Sequence, residues 1–196
     1  IKNISKELVE LPNEKIKRYI SDWGITEYSA EVISSTKKSA DFFENLQLIL
    51  SKKIGEKEAA KEASNWIMGP LYAIANKKGK DFSEIGVNSE DFAELIIAFK
   101  DGMFTKNKAE EILNESIDKG INVSEEIQKL KSVKDSNGSL TEVVKRVIEE
   151  NIQAVTDYKN GKEASIGFLV GKVMQITKGT SNPNDVRNTL VEELKK

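Results

Sequence analysis

From Asn13 onward, apolar residues recur at helical spacing, and nearly every such stripe opens on a capping residue and closes on a glycine. In "NEKIKRYISDWG", Ile16, Tyr19, Ile20 and Trp23 share one face, with Asn13 expected as cap and Gly24 as stop. Thr26 is expected to cap a short helix bearing Tyr28, Val32 and Ile33, and Thr36 a longer one with Ala40, Phe43, Leu46 and Leu50 inward. In residues 56–79 the stripe Ala59, Ala63, Trp66, Ile67, Leu71, Ile74, Ala75 keeps its phase across Gly69-Pro70, which predicts one helix with a kink there. Asn88 and Thr105 begin two more helices, ending at Gly102 and Gly120. Alternating strand patterns are scarce, and the chain has only three prolines. The periodicity therefore predicts an all-α protein.

The last third repeats this grammar. Ser139 and Glu142 form a capping box opening a stripe of Val143, Val144, Val147, Ile148, Ile152, Val155 and Tyr158, closed by Asn160-Gly161. A second helix is expected from about Lys162 to Lys178, and a third after Asn182, with Pro183 at its first position and Val186, Leu190 and Leu194 inward. Between the two regions "SVKDSNGS" is polar and turn-rich. The expected organisation is an N-terminal linker over 1–12, a helical domain over 13–131, a linker over 132–138 and a small three-helix bundle over 139–196. The chain begins at Ile1, so a piece of a longer protein is expected.

Composition narrows the chemistry. With no cysteine and no histidine, the chain has no Cys/His zinc site, thiol nucleophile, disulfide or imidazole relay. The pairs Glu110-Glu111 and Glu149-Glu150 are adjacent on helices and read as solvated faces, so no catalytic residue and no metal site is assigned. No apolar run nears the ~20 residues that span a bilayer. The net charge is −2, although residues 139–196 carry nine basic against eight acidic side chains. A nucleic-acid contact here would neutralise few phosphates.

"GFLVGKVMQITKGT" (167–180) invites comparison with a phosphate-binding loop. Such a loop needs four residues between its glycines, then Gly-Lys-Ser/Thr, between a strand and a helix. Here three residues separate Gly167 from Gly171, and Lys172 precedes Val173. The stretch reads instead as a buried helix whose two glycines allow a second helix to approach, followed by a turn. The next helix's N-terminus offers N–H groups and a positive dipole end beside Lys178, Thr180 and Ser181, which suits a phosphate of RNA.

On these residues, "GKEASIGFLVGKVMQITKGTSNPNDV" (161–186) resembles the C-terminal motif of the B subunit of aspartyl/glutamyl-tRNA amidotransferase, in the domain shared with YqeY-like proteins. "WGITEYSAEVISSTKKSADFFE" (23–44), "ASNWIMGPL" (63–71) and "AVTDYKNGKEASIGFLVG" resemble further family segments in the same order, so nearly the whole chain is covered. One departure falls in the turn: the family's Lys-Gly-Lys-Ala-Asn-Pro is here Lys178-Gly179-Thr180-Ser181-Asn182-Pro183, with one basic side chain fewer.

The resemblance implies a non-catalytic, tRNA-binding tail that helps place misacylated Asp-tRNA(Asn) or Glu-tRNA(Gln) for ATP- and glutamine-dependent amidation in the cytoplasm. Its partners would be tRNA(Gln) or tRNA(Asn), the amidase A subunit and the small C subunit, with no DNA and no membrane. ATP and magnesium would belong to an upstream catalytic part, and no cofactor to this region. Lys159, Lys162, Lys172, Lys178 and Arg187 would contact phosphates or sugars, and Thr180 and Ser181 would donate hydrogen bonds. The alternative is a helical protein-interaction module with no direct RNA role, marked by an exposed patch of Trp23, Trp66 or Phe104.

Overall fold

The computed structural model describes residues 10–196, which are helical with no strand among the described residues. The expected N-terminal linker lies outside the described residues up to position 9. The chain divides into two compact units. The first comprises the described residues through Ile97 with Ser116–Lys119; the second comprises Ala98–Glu115 with Gly120–Lys196.

The first unit contains α1 (Pro12–Ser21), α2 (Glu27–Ile33), α3 (Lys37–Ile54), α4 (Glu56–Trp66) and α5 (Tyr72–Lys78). Helix α1 starts earlier than its pattern suggested: Leu11 and not Asn13 is the cap, Pro12 takes the first helical position, and the Glu14 carboxylate accepts the Leu11 N–H. Thr26 and Thr36 cap as expected, each accepting an N–H three residues on, from Ser29 and Ser39. Between α4 and α5 a π-helical turn spans Ile67–Leu71 and contains Pro70. The wider turn absorbs the N–H that proline lacks while the apolar phase continues, so Ile67, Leu71, Ile74 and Ala75 are all buried. Tyr19, Phe43, Leu46, Leu50 and Trp66 complete this core. Tyr28 on α2 is 65% exposed, and this seven-residue helix buries only Ala30 and Ile33.

A network of charges fastens α1 to α3. Glu44 accepts hydrogen bonds from the Lys15 ammonium (2.6 Å), the Arg18 guanidinium (2.7 Å) and the Tyr19 hydroxyl (2.7 Å). Arg18 also binds Glu10 and lies over the Tyr19 and Trp23 rings, about 5 Å from each centroid. Burial pushes the Glu44 carboxyl up, but the three donors more than offset this and hold it below the usual carboxylate range. The bond from Arg18 lowers Glu10 as well.

Helices α6 (Ser89–Lys100) and α7 (Lys106–Lys119) contribute residues to both units, and α8 (Val123–Asn137), α9 (Leu140–Glu150), α10 (Ile152–Lys159), α11 (Ala164–Ile176) and α12 (Pro183–Leu194) belong to the second. The segment 132–138, expected as a linker, is helical to Asn137 and turns only at Gly138 (φ 72°). Asn122 caps α8 by accepting the Glu125 N–H, and Val123, Ile127 and Leu130 are buried. The polar run is the solvated end of that helix. In the bundle, the expected stripe over 143–158 is one helix in phase but two in fact. At Asn151 the backbone leaves helical geometry (φ −125°, ψ 49°), and its side-chain amide donates to the Val147 carbonyl at 2.8 Å. Ile152, expected inward, is consequently 71% exposed. The core is Val143, Val144, Val147 from α9, Ile166, Leu169, Val173 from α11, and Val186, Leu190, Leu194 from α12.

Candidate nucleic-acid interface

Gly167 and Gly171 lie inside α11, so the glycine-lysine stretch is helix and not loop. They do not serve the close helix packing expected of them. A Cβ built at either position meets nothing within 4 Å, and both glycines are exposed. The inward face of α11 is carried by Ile166, Leu169 and Val173, leaving Gly167, Phe168 and Gly171 facing outward.

The turn after α11 is unusually constrained. Lys178 adopts a left-handed conformation (φ 49°), the only non-glycine residue to do so among those described, and Gly179 follows at φ 78°. A side chain at Gly179 would press on the Lys108 Cβ at 3.2 Å, and the Gly179 carbonyl accepts the Thr105 N–H at 3.0 Å. The turn therefore abuts the first turn of α7, with which it shares a unit. Lys178 is exposed. Asn182 caps α12 by accepting the Asn184 N–H at 2.8 Å, with Pro183 at the first helical position as expected.

Around this turn lies an open cleft of about 1210 Å³, wholly within the second unit. Lys106 and Lys108 enter it from α7, Lys134 from α8 and Lys178 from the turn, against Glu111 and Asp185. The cleft thus holds an excess of positive charge beside the N-terminal ends of α7 and α12. Among the described residues, the Ser181 and Asn182 N–H groups make no internal hydrogen bond. The Thr180 hydroxyl, expected to donate a hydrogen bond to RNA, has a partner inside the turn. It is buried and donates to the Thr177 carbonyl at 2.7 Å, so its proton is committed inside the turn.

The residues singled out from sequence fall into separate places. Lys178, Thr180 and Ser181 line the cleft. Lys162 lines a smaller groove of about 540 Å³ beside α10 and α11, where it pairs with Asp157 at 3.2 Å. Lys172 sits 5.4 Å from the centroid of Phe168, which lines that groove too. Lys159 and Arg187 are exposed on α10 and α12 and line neither. The cleft lysines 106, 108 and 134 are not apparent from sequence because they lie up to 72 positions from Lys178. One signal was available: "TKNK" places two lysines and no acid in the first turn of α7, against the helix dipole. Trp66 and Phe104, two members of the alternative aromatic patch, are buried at 3% and 4% exposure, and Trp23 is half-buried against Tyr19. Among the described residues no three carboxylates cluster as metal ligands, and no helix is long and apolar enough to cross a membrane.

A protein helical throughout its described residues, whose second unit carries a basic cleft, is the class these features define. The chain belongs to the GatB domain family, whose model matches residues 41–194. It is 39% identical over 195 residues, 98% of its length, to the B subunit of the aspartyl/glutamyl-tRNA(Asn/Gln) amidotransferase of Thermoanaerobacter sp. (strain X514). The corresponding B subunit of Clostridium botulinum (strain Hall) is 36% identical over the whole chain, and that of Listeria welshimeri 36% identical over 98% of it. The chain spans about two fifths of the length of these curated relatives.

Proposed function

We propose that this chain is the tRNA-binding tail of the B subunit of an aspartyl/glutamyl-tRNA amidotransferase, acting in the cytoplasm. It would bind the body of misacylated Asp-tRNA(Asn) or Glu-tRNA(Gln). The ATP- and glutamine-dependent formation of the carbon–nitrogen bond would then be carried out by an upstream catalytic part, which would hold ATP and magnesium, with the amidase A and small C subunits as partners. The chain itself supplies no catalytic group on this reading. The observation that carries it is the basic cleft: four lysines from three segments surround a volume that admits a phosphate backbone, beside unpaired N–H groups at Ser181 and Asn182.

Contacts of this kind fix the orientation of a folded RNA and read its shape more than its sequence. Lys159, Lys162, Lys172 and Arg187 extend the basic surface outside the cleft, while Thr180 maintains the turn. The test is tRNA affinity against salt for the wild-type chain and for K178A/R187A. The expected result is weaker binding at low salt, with the logarithmic salt slope shallower by about one for each phosphate contact removed. Unaltered affinity and slope would place the RNA elsewhere. Retention of partner subunits by a chain that binds no tRNA would instead establish the interaction-module alternative.

A further inference from the structure

Two large apolar side chains of the second unit stand out in solvent, Ile152 at 71% exposure and Phe168 at 51%, and both line the same groove beside α10 and α11. Neither results from poor packing. Ile152 is turned outward by the break at Asn151, and Phe168 stands on α11 between Leu169, which is fully buried, and Gly167, which is open. The ring also has free space along the helix. One turn further on is Gly171, with nothing within 4 Å of a Cβ there, followed by Lys172, whose ammonium lies 5.4 Å from the ring centroid. With glycine at 167 and 171, the helix surface on either side of Phe168 is open.

Two apolar side chains fall well short of the roughly 800 Å² per partner that a stable protein interface uses. The groove's polar lining also suits the edge of a heterocycle better than an apolar helix: Ser165, and the amide oxygens of Asn151 and Gln153, whose NH2 groups donate to Val147 and Asp157. What fits is one planar ring carrying hydrogen-bonding edges and attached to an anion that Lys172 can face. Two acids line the groove, Glu150 and Asp157; Asp157 accepts from Gln153 and Lys162 at 3.0 and 3.2 Å, which leaves Lys172, beside the groove, as the cation for the anion.

We propose that an exposed nucleobase, or the outer face of a terminal base pair, of the bound RNA stacks on Phe168, with Ile152 and the helical carbons of α11 flanking it and Lys172 facing the adjoining phosphate. This rests on the RNA-binding reading above but adds a different kind of contact. The cleft grips charge, whereas Phe168 grips a ring, and base–aromatic stacking tolerates any base identity.

The two are separable by salt. Affinity of the chain for transcribed tRNA(Gln) is measured from low to moderate salt for wild type, F168L and F168W. Because Phe168 is exposed, an unchanged thermal midpoint is expected for each variant. F168L keeps apolar bulk but loses the aromatic face, and should weaken binding roughly tenfold at every salt concentration with the slope unchanged. F168W should bind as well as wild type or better. If F168L binds as tightly as wild type while K178A/R187A weakens and flattens the salt dependence, the stacking assignment is overturned and the RNA-binding reading stands. If the wild-type chain binds no tRNA, both fall. A parallel loss in F168L and F168W with an altered salt slope would also overturn it, because it would mark a role in shaping the basic surface.

Discussion

Replacing Glu44 by Gln removes the one group that holds Lys15, Arg18 and Tyr19 together, and the cost follows from the geometry. Three donors reach the carboxylate at 2.6–2.7 Å, and a hydrogen bond to a charged group is worth about 1.5–3 kcal/mol when well buried. Two facts reduce that figure. The Glu44 side chain is 29% exposed, so solvent screens it, and both Arg18 and Lys15 (3.8 Å) keep Glu10 as a second partner. The expected loss is about 1–2 kcal/mol, which lowers the thermal midpoint of a chain this size by about 2–8 °C at pH 7.

The pH dependence is the sharper test. Because the folded Glu44 carboxyl lies below its ordinary value near 4.5, its contribution is complete above that value and is lost as pH falls through the lower, folded one. Circular dichroism melts should therefore show the gap between wild type and E44Q at pH 7, narrowing below about pH 4.5 and closing once Glu44 is protonated. A gap that is absent at neutral pH, or that stays constant into acid, would refute the idea that charge-assisted bonds to Glu44 tie α1 to α3.

The outward glycines make an opposite-signed prediction. G171A should stabilise the chain by about 0.5–1 kcal/mol in denaturant titrations, because alanine is the better helix former and meets no neighbour; destabilisation would restore the close-packing role. In the bundle core, L169A removes a fully buried side chain between α9 and α12 and should cost about 2–5 kcal/mol in the same titration.

Much of this architecture was legible because it is written locally. Thr26, Thr36, Asn88, Ser139 and Asn182 each cap the helix their position announced, through bonds spanning two or three residues. The core stripes of α4 and α12 followed from helical spacing alone. Other features depended on competition that periodicity does not encode. The valine-rich stripe continued smoothly through Asn151, but the Asn side chain bonds the Val147 carbonyl and the helix breaks there. The polar run at 132–137 has turn-like composition, yet it continues α8, which Asn122 caps and which runs to Asn137. For Gly167 and Gly171, spacing put both on one face without saying whether that face met a helix or solvent. The turn of Lys178–Asn182 was visible as a candidate site, whereas its opposite wall of Lys106, Lys108 and Lys134 required the tertiary fold to bring distant segments together.

Whether the cleft holds RNA phosphate is tested most directly by the salt dependence of tRNA binding in a K106E/K134E chain. Both residues lie outside the sequence motif around Lys178, and both side chains are exposed or at the surface, so the fold should persist. Binding reduced at least tenfold at low salt is expected, with a slope shallower by about two than that of wild type, one for each lysine lost from a phosphate. Wild-type affinity and slope in that variant would contradict an RNA-holding cleft.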